Sequence, residues 1–397
     1  MINKRIATAI ATGALLLNSF AAPAFAATDV TVSGNGSDSN NTANINLTKT
    51  NTVVQNNTAN VTNNVDVDAN TGDNDANDNT GGDVSISTGD SDVAVAVKNM
   101  LNKNSAAIGC CTSGDTSVKI AGNGSDSDND VDLDLDKSNE IFQDNDAYVK
   151  NDVDVDAKTG KNDANDNTNG DVEIETGDAD VSVGILTFAN ANFASIGGGD
   201  EDGGGLSLWI LGNGHNSDNY IDADLDNTST VSQDNNAHIY NDVDVDAKTG
   251  KNDANDNTGG EVSIETGDAN VEALVANVGN FNWADLSCDC LFDDLTAKIA
   301  DNGSDSDNDI DLDSDGSNEL FQDNYAKVDN DVEDIEAGTG KNDANDNTLG
   351  SGDDPSIETG DADVAAEVLN QFNANEAGIG DGFEFEFDWD EVFGSLF

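Results

Sequence analysis

Proline occurs twice in 397 residues, at Pro23 and Pro355, and no arginine follows Arg5. A Pro-rich rod or linker is therefore excluded for the body of the chain. Beyond residue 26 there are 13 lysines and no arginine against 80 acidic residues, a net charge of −67. Phosphate neutralisation needs clustered Lys and Arg, so nucleic acid is excluded as a partner. Aromatic residues are 5% of the chain, and Leu, Ile, Val and Phe make up about a fifth, close to the level at which a highly charged chain is expected to stay disordered. Nucleophile elbows, phosphate loops and dinucleotide fingerprints are missing. The Gly-rich segment at 197–205 is acidic and would repel a phosphate. His215 and His238 replace Ser125 and Tyr148 of the preceding copy and read as surface substitutions.

What the chain does have is repetition. NDVDVDAKTGKNDANDNTGG at 241–260 recurs with small changes at 64–82, 151–170 and 330–350, and its glycines Gly72, Gly160, Gly250 and Gly340 lie 88, 90 and 90 residues apart. Four tandem repeats of about 90 residues follow, each expected to cover its neighbour's apolar face. Repeat 1 covers 27–104, repeat 2 118–195, repeat 3 207–283 and repeat 4 297–375. Spacers at 105–117 and 284–296 carry cysteines, and the spacer at 196–206 is Gly-rich and acidic; all three are expected as loops from one edge. Residues 376–397 form an acidic, aromatic tail in which Phe383, Phe385, Phe387 and Trp389 alternate with acids, suited to a cap or a docking strand. Residues 1–26 read as a signal peptide, with Lys4 and Arg5, an apolar run and Ala24-Phe-Ala26, so we expect export to the cell surface or medium and no transmembrane segment in the mature chain.

Apolar residues alternate with Asp, as in Val153-Asp-Val155, which is the period of a half-buried strand. Short strands between Asn, Asp and Gly turns point to an all-β, elongated β-solenoid, parallel β-helix-like, with about four coils per repeat. The competing readings are an immunoglobulin-like or cadherin-like sandwich and a largely disordered chain. In the solenoid, Asp152, Asp154 and Asp156 are expected beside Asp171, Glu173 and Glu175 of the next coil. Unscreened carboxylates ~5 Å apart cost about 3 kcal/mol per pair at an effective dielectric of ~20, so calcium or concentrated salt is expected to complete folding.

Hard oxygen donors at short spacing suit calcium. Asp311-Leu-Asp313-Ser-Asp315-Gly316 resembles the first half of an EF-hand or dockerin loop, although position twelve is Gln322. The other candidate ligands are Asp126 and Asp128 in GNGSDSDN, Asp163 and Asp166 in NDAND, and Asp178 and Asp180 in TGDAD. NDANDN is similar to the linker motif of cadherins, and the acidic turns resemble the repeats of RTX proteins, a likeness that implies folding on calcium outside the cell. Gln143-Asp-Asn145-Asp-Ala147 and Asn162-Asp-Ala164 resemble curlin repeats, which implies ladder chemistry and self-assembly. An exported chain favours disulfides. With four coils per unit, Cys110–Cys111 and Cys288–Cys290 would lie ~40 Å apart, leaving local or intermolecular bonds and no four-Cys zinc site. The functional expectation is a non-enzymatic, structural or adhesive surface protein whose partners are cations and itself or other surface components. The alternative is a calcium-dependent β-helix enzyme acting on acidic polysaccharide.

Overall fold

The computed structural model describes residues 5–8, 16–21, 28–109, 115–197, 205–287, 295–348 and 354–379. Every regular element among them is a strand. Two strands, β1 (Arg5–Thr8) and β2 (Leu16–Ala21), precede the repeats. Repeat 1 holds β3 (Thr28–Ser33), β4 (Asn40–Asn70), β5 (Val84–Ser87) and β6 (Ser91–Ile108). Repeat 2 holds β7 (Thr116–Ala121), β8 (Asp128–Lys158), β9 (Val172–Glu175) and β10 (Ala179–Gly197). Repeat 3 holds β11 (Leu206–Leu211), β12 (Asp218–Lys248), β13 (Val262–Glu265) and β14 (Ala269–Ser287). Repeat 4 holds β15 (Leu295–Ala300), β16 (Asp307–Gly338), β17 (Ser356–Glu358) and β18 (Ala362–Ile379).

Each strand pairs in parallel with its counterpart in the next repeat, giving the ladders β3-β7-β11-β15, β4-β8-β12-β16, β5-β9-β13-β17 and β6-β10-β14-β18. The parallel β-solenoid of four tandem repeats expected from the sequence is the fold found. Its coils differ from the expectation: each repeat is one coil, not four. Asn57 lies beside Asn145, Asn145 beside Asn235 and Asn235 beside Asn324, so the register step is the repeat length itself. The long dimension runs along the strands, because the 31 residues of β8 span ~100 Å.

Within a coil the long strand faces two shorter ones. Val118 and Ile120 of β7 pack on Val131 and Leu133 near the start of β8. Ala179 to Ile185 of β10 pack on Val153, Val155 and Ala157 near its end, and Ala194 and Ile196 return to Ile141. Val172 and Ile174 of β9 close the far end against Ala164 of the NDAND turn. The interior is thus thin, and apolar stretches are separated by buried amides. Gly160 explains the repeated glycine that marks each unit: a Cβ there would lie 1.9 Å from the carbonyl oxygen of Gly250, so close backbone stacking requires its absence.

The one-coil unit also moves the cysteines' surroundings. Ile108 pairs with Ile196 and Ile196 with Leu286, so the ends of the two Cys-bearing spacers lie two coils, ~10 Å, apart. The ~40 Å separation used to restrict disulfides and exclude zinc does not hold. The cysteines themselves, the Gly-rich spacer and the tail aromatics lie outside the described residues. β1 and β2, which precede the repeats, pair in parallel with the outer edge of β6, at Arg5 beside Val93 and Leu16 beside Lys103.

Candidate functional site

Alternation along β8 sends one set of residues inward and the other outward, and register copies each set onto the coils above and below. The outward set is acidic. Asp132, Asp134 and Asp136 lie beside Asp222, Asp224 and Asp226, and these beside Asp311, Asp313 and Asp315. Asp152, Asp154 and Asp156 lie beside Asp242, Asp244 and Asp246. Their neighbours are therefore the same positions of adjacent repeats. The expected neighbours, Asp171, Glu173 and Glu175, are elsewhere: Glu173 and Glu175 belong to β9, in a separate sheet.

Four members of these rows, Asp134, Asp154, Asp226 and Asp244, hold their protons more tightly than free aspartate does. Asp154 is pushed up by partial desolvation, then by Asp156, Asp66 and Asp246. Asp244, Asp226 and Asp134 are raised likewise, by desolvation first and neighbouring aspartates second. Lysines relieve a few positions: Lys150 reaches Asp152 at 3.2 Å, Lys158 pairs with Asp156, and Lys248 bridges Asp246 and, at 3.1 Å, Glu336 of the next coil.

The nine aspartates expected as calcium ligands fall into separate columns. Asp126 and Asp166 occupy left-handed turn positions (φ 55° and 58°), and Asp126 accepts the side-chain amide of Asn216 at 2.8 Å. Asp128 is exposed, with its backbone N–H on the Ser39 carbonyl. Asp163 stacks between Asp75 and Asp253, and is raised by desolvation and then by Asp75 and Asp73. Asp178 accepts the backbone N–H of Asp268 at 2.9 Å, and Asp180 accepts the Asn270 amide at 2.9 Å beside an open acidic groove shared with Asp92, Glu272 and Asp363. Asp311, Asp313 and Asp315 lie within β16, every second residue of an extended strand and not a loop around an ion. Among the described residues no three acidic, His or Cys side chains converge as a metal cage. The arrangement supplies columns in which carboxylates of adjacent coils stack on one another, chiefly from the second coil onward, suited to ions held between those coils.

The inward set was not anticipated as a functional element. Asn145 Oδ1 accepts from Asn57 (3.1 Å) and Asn104 (3.0 Å), while its Nδ2 donates to Asn192 (2.8 Å) and Asn235 (3.0 Å). Gln55, Gln143, Gln233 and Gln322 form a second column with 2.8 Å bonds between successive side chains. The signal was present in the sequence, since these amides recur at the repeat spacing and at no shorter one. His215 contacts Asp305 of the next coil at 3.0 Å, and His238 packs on Tyr325 with ring centroids 5.6 Å apart. No helix among the described residues is long and apolar enough to cross a membrane. Comparison with protein-family models, curated proteins and solved structures gives no match.

Proposed function

We propose that this chain is an exported, non-catalytic structural or adhesive repeat protein of the cell surface, whose flat acidic array is stabilised by cations, calcium foremost. The observation that carries this reading is the stacking of identical carboxylates from coil to coil with raised proton affinity. Two carboxylates on neighbouring strands ~4.8 Å apart repel one another and jointly attract a divalent ion, which takes oxygen ligands with loose geometry. Exposed rows bind such ions individually weakly and in number, and bound ions then bridge the array to acidic groups on neighbouring molecules.

Equilibrium dialysis with labelled calcium tests this. The expected result is many weak sites per chain, partly displaced by magnesium and weakened by sodium chloride. Calcium uptake no greater than that of a variant in which Asp132, Asp134, Asp136, Asp222, Asp224 and Asp226 are changed to Asn would contradict it.

A further inference from the structure

The fourth coil ends the stack with an open edge. Ile310, Leu312, Val364 and Val368 are 41%, 45%, 49% and 44% exposed. Their partners in the third coil, Ile221, Ala223, Val271 and Val275, are 0%, 0%, 3% and 1% exposed. Inward-facing side chains stand half in water because, among the described residues, no fifth coil covers them. Beside β16 and β18, no further strand lies on the outer edge among the described residues. Such an edge is a template for parallel pairing.

Three features of the first coil fit it to that template. The first is hydrogen-bond direction. In the Asn columns, donation runs from the first coil toward the fourth: Asn63 to Asn151 to Asn241 to Asn330, and Asn104 to Asn192 to Asn282 to Asn375. Asn57 Oδ1, at the start of its column, is buried without a partner, although Oδ1 of Asn145 in the next coil accepts two bonds. The Gln column donates the opposite way, from Gln322 back to Gln55. A coil stacked head to tail continues both directions.

The second feature is charge. Residues 27–104 hold 10 acidic residues and residues 297–375 hold 22. Asp311, Asp313 and Asp315 end columns that begin with Asn44, Asn46 and Thr48. Stacking the fourth coil on another first coil would put carboxylates on neutral donors. The first coil already does this on its inner side, where Asn44 donates to Asp132 at 2.9 Å and Asn46 to Asp134 at 3.0 Å. The third feature is the leader: β1 and β2 lie in parallel along the outer edge of β6, so that edge accepts a further parallel strand and is occupied while the leader remains.

Residues 380–397 are too few to be the occupant, since 18 extended residues reach ~60 Å, the length of β18 alone, and β16 would stay open. We infer that the occupant is a second copy of this chain: removal of the leader frees the first coil, which stacks on the fourth coil of the next molecule and continues the solenoid as an open, head-to-tail filament. The inference deepens the structural reading of the array and rests on it.

The test compares the processed chain beginning at Ala27 with the full chain, by sedimentation velocity and fibre diffraction in about 1 M NaCl, where any salt screens the rows. The processed chain is expected to grow with concentration into filaments with a ~4.8 Å axial spacing, while the full chain stays monomeric. Leu312→Lys with Val364→Lys leaves the half-exposed monomer edge folded but raises the critical concentration at least ~tenfold, because stacking would bury unpaired ammonium groups. A processed chain that stays monomeric, or a double variant that assembles as readily, overturns the proposal. Should that variant fail to fold, hydrogen exchange on the unaltered processed chain decides. New protection of β16 and β18 on assembly supports stacking, whereas protection already complete in the dilute monomer assigns the edge to residues 380–397 and overturns it. The cation reading is tested separately, by calcium binding, so either idea can fail alone.

Discussion

On β8, Asn145 and its neighbour Asp144 are one residue apart and point to opposite faces, and stacking identical copies has opposite consequences for them. An amide carries donor and acceptor, so each Asn in the interior column satisfies the next. A carboxylate only accepts, so an Asp stacked on Asp, as Asp144 is on Asp234 and Asp234 on Asp323, meets a like charge, relieved by Lys150, Lys158 and Lys248 in a few places. One register therefore makes the interior self-supporting and the surface dependent on the solution. Asn fixes the fold, and Asp, on the function proposed above, makes it responsive to ions.

The sharpest way to break this contrast is to move a surface residue type inside. Asn145→Asp removes donors to Asn192 and Asn235 and buries a charge among acceptors, so a loss of about 3–5 kcal/mol in urea unfolding is expected. Gly160→Ala attacks the register that both ladders share, and is expected to cost about 3 kcal/mol or more, because the added methyl meets backbone that cannot yield.

Effects on the outer rows should be smaller and opposite in sign. Asp154→Asn with Asp244→Asn is expected to stabilise by about 0.2–1 kcal/mol in low salt, since like charges directly opposite one another are lost, and by almost nothing in high salt. The same rows set the pH dependence. Asp154, Asp163, Asp226 and Asp244 have raised folded-state pKa values, so the folded chain binds protons more readily than the unfolded one as pH falls through them. Stability in low salt should rise from pH 7 toward pH 4, as followed by circular dichroism melts, where carboxylates stabilised by salt bridges would make it fall. A separate effect concerns Lys137, an inward residue whose pKa burial and then Lys49 lower to about 8. Its burial penalty is present below pH 8 and is relieved as pH rises from about 8 toward 10.5. Lys137→Asn, matching Asn227 one coil on, should stabilise modestly at pH 7 and flatten that rise.

Much of the fold was legible. The 88- and 90-residue spacing of Gly72, Gly160, Gly250 and Gly340 gave the repeat, and Val153-Asp-Val155 gave the strand period. The coil count was hidden because Asn and Asp favour turns, whereas SNEIFQDNDAYVKN lies wholly inside β8. Within a repeat nothing recurs at the length of a shorter coil, and that is the signal that repeat and coil coincide. Of the candidate aspartates, the turn positions of Asp126 and Asp166 could be read from Gly-Asn-Asp chemistry. Their neighbours could not, because each carboxylate's company is set by a residue about 90 positions away.

The most direct test of the central claim is the thermal melt of the processed chain, dilute and at pH 7 in low-salt buffer, with and without millimolar calcium. The melting temperature is expected to rise with calcium, and to rise less in the chain in which Asp132, Asp134, Asp136, Asp222, Asp224 and Asp226 are Asn. A melting temperature indifferent to calcium and to salt would contradict it.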